Sequence, residues 1–100
     1  MKIKNGMRPV HPGEVLREDC LRPAGLTANA LAKLLRVPAP RIHDIARERR
    51  GVSADTAMRL ARYFGGDAHS WLNLQAIYDL RLAEMANARR IEREIVPSAV

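Results

Sequence analysis

Residues 27–47 read TANALAKLLRVPAPRIHDIAR, and how this stretch is divided decides the fold. Ala28, Leu31, Ala32 and Leu35 recur at i, i+3, i+4 and i+7, which is one buried face of a helix, and Thr27 before them is a good N-cap. Ile42, Ile45 and Ala46 form the inner face of a second helix. Between the two lie Pro38 and Pro40, which would break a helix interior. In a first turn, however, the N–H that proline lacks has no intrahelical partner to lose. The prolines therefore mark a helix start after Val37 and stiffen it.

Counted from Ala28 as a 20-residue unit, the stretch fits the helix-turn-helix pattern place by place. The fifth place, where the two helices cross, needs a small residue and has Ala32. Places four, eight, ten, fifteen and eighteen need apolar residues and have Leu31, Leu35, Val37, Ile42 and Ile45. The ninth place, a tight turn that favours glycine, holds Arg36, so a slightly different turn is expected. With the inward set fixed, Ala39, Pro40, Arg41, His43, Asp44 and Arg47 face outward. In a helix-turn-helix this second helix lies in the major groove of double-stranded DNA, its N-terminal part at the base edges. Arg41 and Arg47 suit a guanine or a phosphate. His43 can donate or accept, and Asp44 can accept from a cytosine amine or orient an arginine. Ala39 and Pro40 offer apolar surface to a thymine methyl. Phosphate contacts are expected on both flanks, from Thr27 and Asn29 at a helix N-terminus and from Arg49, Arg50 and Ser53 on the other side. The plain alternative, that these arginines form only a solvated face, stays open.

Charge points the same way. The 100-residue chain has 17 Lys and Arg against 11 Asp and Glu, a formal charge of +6. Between Lys33 and Arg50 there are six bases and two acids. The single cysteine, Cys20, excludes an internal disulfide and points to a reducing cytoplasm. No apolar run approaches the ~20 residues of a membrane span, and MKIKNGMRPVHPG lacks the apolar stretch of a secretory signal. His11, His43 and His69 share no ligand spacing, so neither a metal nor a cofactor is expected. His11 reads instead as a helix-start contact beside Pro12 and Gly13. No serine elbow, phosphate loop or paired carboxylate suggests an enzyme.

The rest of the chain divides by helix punctuation. Pro12, Gly13 and Glu14 open a first helix carrying Val15, Leu16 and Cys20 inward and stopping near Pro23 and Gly25. Ser53 caps a fourth helix with Ala57, Leu60, Ala61 and Phe64 inside, closed by Gly65 and Gly66. Asp67 caps a longer fifth helix, about 67–88. Residues 1–88 thus form one all-α, five-helix domain with the helix-turn-helix at about 27–47, and 89–100 is expected to be a charged, flexible tail. The last helix carries one apolar stripe of Trp71, Leu74, Tyr78, Leu82 and Met85, and another of Leu72, Ala76, Leu80 and Ala83. Apolar on two sides, it needs two partners. Its own domain is one. A second copy of the chain is the expected other, with the first stripe as the dimer interface, and such a homodimer would read a palindromic operator. The alternative that both stripes fold back onto a wide monomer core stays open.

The motifs HPGEVLRED at 11–19, TANALAKLLRVPAPRIHDI at 27–45, RRGVSADTAMRLARYFGG at 49–66 and WLNLQAIYDL at 71–80 together resemble the HigA-type (VapI-related) antitoxins of bacterial toxin–antitoxin operons. These belong to the lambda-repressor-like helix-turn-helix proteins. The resemblance implies a cytoplasmic dimeric repressor that binds its own operator DNA and neutralises a HigB-like toxin, a RelE-like ribonuclease that cuts messenger RNA. Two alternatives are a stand-alone transcriptional regulator without a toxin and a toxin-binding module of weak DNA affinity. Toxin contacts are expected on residues 1–21 or on exposed helix faces. Many relatives have Asn-Gly after the recognition helix where this chain has Arg47 and Glu48, which predicts a helix running further toward Gly51.

Overall fold

The computed structural model of the protein describes residues 8–99, whose regular elements are all helices, with no strand among them. The first helix, α1, covers 12–24. It is followed by α2 (Ala28–Leu35), α3 (Ala39–Ala46), α4 (Ala54–Phe64) and α5 (Ala68–Glu94). Part of the 1–21 segment expected to meet a toxin, residues 1–7, lies outside the described residues. The core is aliphatic: Leu16, Leu31, Ile42, Ile45, Ala57 and Leu60 have no exposed surface. Burying each large aliphatic side chain contributes roughly 1.5–3 kcal/mol.

His11 starts α1 as expected. Its Nδ1 accepts from the Gly13 N–H at 2.8 Å, and its ring meets Tyr78 of α5 edge-on at 4.8 Å. Burial holds the imidazole pKa below its ordinary value, which keeps Nδ1 available as an acceptor. Farther along, α1 departs from a plain helix. Its middle, Leu16–Leu21, is π-helical, with the Arg22 N–H donating to the Arg17 carbonyl. Pro23 is next in the chain, and its ring would clash with the Asp19 carbonyl in a tight α-turn, which a widened turn relieves. The wider turn also brings Leu16 and Leu21, five residues apart, to the same side, and both are buried. Cys20 is only half-buried against the core, so Leu21 has the place that regular periodicity assigns to Cys20. Burial raises the thiol pKa.

Three helices end in the same Schellman geometry. In α1 the Leu26 N–H reaches the Leu21 carbonyl around Gly25, at φ 67°. In α2 the Val37 N–H reaches Ala32 around Arg36, at φ 58°. In α3 the Arg49 N–H reaches Asp44 around Glu48, at φ 63°. Arg36 therefore makes the left-handed turn a glycine would make, rather than a different one. α3, the second helix of the helix-turn-helix pattern, likewise stops at Ala46 instead of running on toward Gly51, because Glu48 takes the left-handed position and reverses the chain. A left-handed Cβ residue costs about 1–2 kcal/mol, partly offset in any glycine replacement by added unfolded-state entropy. Arg36→Gly should thus raise stability by about 0.5–1 kcal/mol, read as a melting-point rise of a few degrees. Glu48→Gly should gain less, since it forfeits the bonds Glu48 accepts from Arg17.

α1 crosses the C-terminal end of α3 at close range. Gly13 lies so near the Ile45 carbonyl that a Cβ there would stand 1.8 Å from the oxygen. Beside it the Arg17 guanidinium donates to the Ala46 carbonyl and to Glu48 Oε2, placing positive charge at the negative end of the α3 dipole. Gln75 of α5 accepts from the Val52 N–H at 2.8 Å and ties down the α3–α4 loop. α3 is thereby held at its C-terminal end by α1, and the loop that follows it is held by α5.

α5 differs from the expected helix at both ends. Its start belongs to the monomer: Trp71 is in the core, Leu72 and Leu74 pack against it, and Tyr78 covers His11. Three of the five expected interface residues, Trp71, Leu74 and Tyr78, are thus engaged within the chain, while Leu82 and Met85 remain exposed. At the other end the helix continues through Glu94, past the expected stop at 88, so residues 89–94 are helical. With 27 residues it is about 40 Å long. Residues 88–99 are all exposed.

Candidate nucleic-acid interface

The site is built on α3. Ile42, Ile45 and Ala46 are buried under it, which aims Pro40, Arg41, His43, Asp44 and Arg47 away from the core. Ala39 is an exception among the expected outward residues, because it packs partly against the core.

The structure links these side chains to neighbouring helices. Arg41 Nη1 donates to Asp55 Oδ2 of α4 at 2.8 Å. The same oxygen receives Arg59 Nε at 2.9 Å, and Arg59 Nη1 continues to the Leu35 carbonyl at 2.9 Å, closing the end of α2. The Arg59 guanidinium foremost, with Arg41 behind it, holds the Asp55 carboxyl below its usual range. His43 Nε2 is 2.8 Å from Asn29 Oδ1 at the start of α2, and Asp44 is paired with Arg50 at 3.6 Å. Arg47 and Arg49 are exposed and hold no ion pair within the described residues.

The flanks are shaped by capping. Thr27 Oγ1 accepts from the Ala30 N–H at 3.1 Å, so that hydroxyl is used within α2. Ser53 Oγ accepts from the Thr56 N–H and donates to Thr56 Oγ1 at the head of α4. α2 and α4 therefore both direct N-termini, with their positive dipole ends, to the neighbourhood of α3. The residues singled out from the sequence stand close together around α3, and Asp55 and Arg59, which bond among them, are not in that set. The Asp55–Arg59 spacing of four is a visible helix pair. Its third member, Arg41, lies fourteen residues from Asp55, and no local pattern joins them.

Among the described residues no group of three His, Cys, Asp or Glu stands close enough to hold a metal ion, and no helix is long and apolar enough to cross a membrane.

A helix-turn-helix family model matches residues 16–70. Virulence-associated protein I of Dichelobacter nodosus is 63% identical over 81 residues, 81% of this chain and 75% of that one. The Pseudomonas aeruginosa antitoxin HigA, solved with the higBA promoter, superposes with a TM-score of 0.88 at 51% identity, over 90% of this chain and 98% of its own. The antitoxin GraA in complex with its operator has a TM-score of 0.88 at 44% identity, over 99% of this chain and all of its own. With its helix-turn-helix in register and these likenesses running nearly end to end, the chain belongs to the helix-turn-helix family, among its HigA-type antitoxins.

Proposed function

We propose that the protein is a cytoplasmic antitoxin that binds palindromic operator DNA as a dimer, represses its own operon and neutralises a HigB/RelE-like, messenger-RNA-cleaving toxin by direct contact. The observation that carries the DNA half is the outward row Arg41, His43, Asp44 and Arg47 on a helix seated on Ile42, Ile45 and Ala46 and held by α1 at Gly13 and Arg17. Groups that read base edges must be held in place, and this row stands on a helix whose inner side is buried in the core. The promoter and operator complexes of HigA and GraA, chains of the same shape, support the same assignment. The toxin half rests on the antitoxin names of those relatives.

The base-edge and phosphate roles make different predictions. Arg41→Ala should cost about 1–3 kcal/mol on the operator and relax specificity at one base position in each half-site. Arg50→Ala should weaken binding to every sequence alike and reduce the salt slope by about one. A salt-titrated assay on the DNA upstream of the gene, with a scrambled duplex beside it, checks both. If wild-type protein binds the two duplexes equally, the operator reading is lost. The toxin half is tested by co-expression with a HigB/RelE-like ribonuclease from the same genome, where joint purification and restored growth are the expected results.

A further inference from the structure

We propose that Asp55 is a specificity-determining positioning residue, holding the Arg41 guanidinium in its base-reading orientation from outside the recognition helix. The inference rests on the reading of Arg41 as a base contact.

Three observations carry it. First, Asp55 engages Arg41 through Nη1, and no other donor of that guanidinium is bonded to it. The Nε and Nη2 edge is left available, and two parallel N–H groups on one edge are what the O6 and N7 acceptors of guanine require. Second, the carboxylate is anchored. Its Oδ2 also takes Arg59 Nε, and Arg59 is fixed to the Leu35 carbonyl at the end of α2. A continuous chain of bonds therefore runs from the helix-turn-helix turn, through Arg59 and Asp55, to the reading side chain. Third, Asp55 is an exposed acid on the face that meets phosphates, its side chain 57% accessible. A carboxylate there lowers affinity for any DNA. As an exposed ion pair it adds little to folding. Ordering Arg41 is the gain that offsets this repulsion, because a guanidinium already held in place loses less freedom on meeting its base. The predicted signature is a trade, with raw affinity lowered and discrimination raised.

The test is selection from a pool of random duplexes by the full-length protein and by Arg41→Ala, Asp55→Asn, Asp55→Glu and the Arg41→Ala/Asp55→Asn double variant. Affinities for the selected motif, its single-base variants and a scrambled duplex are then measured, and thermal melts confirm that each variant is folded. Arg41→Ala is expected to flatten one position of the motif, losing roughly tenfold to hundredfold discrimination there. Asp55→Asn should flatten that same position by about fivefold or more while binding scrambled DNA about threefold more tightly. Asp55→Glu should restore part of the preference, and the double variant should match Arg41→Ala in its preference at that position. If Arg41→Ala flattens a position and Asp55→Asn leaves it intact, the positioning role is overturned and Asp55 is a surface pair only. If Arg41→Ala flattens no position, the base-reading assignment itself falls, and the role of Asp55 with it.

Discussion

Gly13→Ala should be the most damaging glycine-to-alanine change among the described residues, lowering stability by about 3 kcal/mol and the melting temperature by about 15 °C. The added Cβ would stand 1.8 Å from the Ile45 carbonyl oxygen and 2.9 Å from its carbon. Both are backbone atoms of the recognition helix, and neither has a rotamer to retreat into. Relief requires α1 to move away from α3. That movement strains the Arg17 bond to the Ala46 carbonyl and the Glu48 N–H bond to Ile45 that reverses the chain. Operator affinity should fall as well, even at temperatures where the variant is folded, because the displaced element is the one that carries Arg41. Gly51→Ala is the matched control. A Cβ there also approaches neighbours at 2.8 Å, but they are the end of the Gln75 side chain, which can swing aside. The expected loss is about 1 kcal/mol, mostly from the weakened Gln75 bond to Val52. Differential scanning calorimetry on the two variants decides it. Equal, small losses would mean that α1 and α3 have room to separate without cost.

How much of the fold and site is legible in the sequence depends on the distance over which each feature is determined. The five helices and the inward set Leu31, Leu35, Ile42, Ile45 and Leu60 come from a 3.6-residue period and local caps, and the structure has them so. The two positions where glycine would be usual, Arg36 and Glu48, predict altered turns if glycine is taken as a requirement. The structure keeps both turns at the cost of left-handed backbone, because the Schellman bonds on either side remain available. The π-turn at Leu16–Leu21 has a local cause in Pro23, but an extra residue in a turn does not disturb apolar counting enough to be seen in advance. At the site, outward direction is a geometric consequence of the inward set and is readable. The side-chain bonds Arg41–Asp55 and Asn29–His43 join different helices fourteen residues apart, and composition cannot choose between several acids within reach of an arginine. For the last helix, periodicity yields two stripes but not where along the helix each meets the domain. The structure assigns Trp71, Leu74 and Tyr78 to the monomer and leaves Leu80, Leu82, Met85 and Ile91 exposed.

That division gives the proposed dimer its sharpest expected result. Past Tyr78 the same stripe continues in Leu82 and Met85, which are 42% and 69% exposed, and the opposite face shows Leu80 and Ile91. Leu82 and Met85 extend the line along which α5 already packs, so a second copy can bury them while still meeting the domain. Leu82→Glu/Met85→Glu should therefore leave a folded monomer, since neither side chain supports the core. Leu80→Glu, on the far face, should leave the dimer intact. The consequence for DNA is larger than for folding. A dimer binds its second half-site from an already tethered position, a gain of about 10²–10⁴ that a monomer lacks. The double variant should lose that factor on a full palindrome and nothing on an isolated half-site. Sedimentation velocity reports the mass, and paired titrations of full and half operators report the affinity. A monomer with undiminished preference for the full site would overturn the two-fold arrangement. A dimer that survives the double variant but yields to Leu80→Glu would move the interface to the other stripe, the one that runs through Leu72, Ala76 and Ala83.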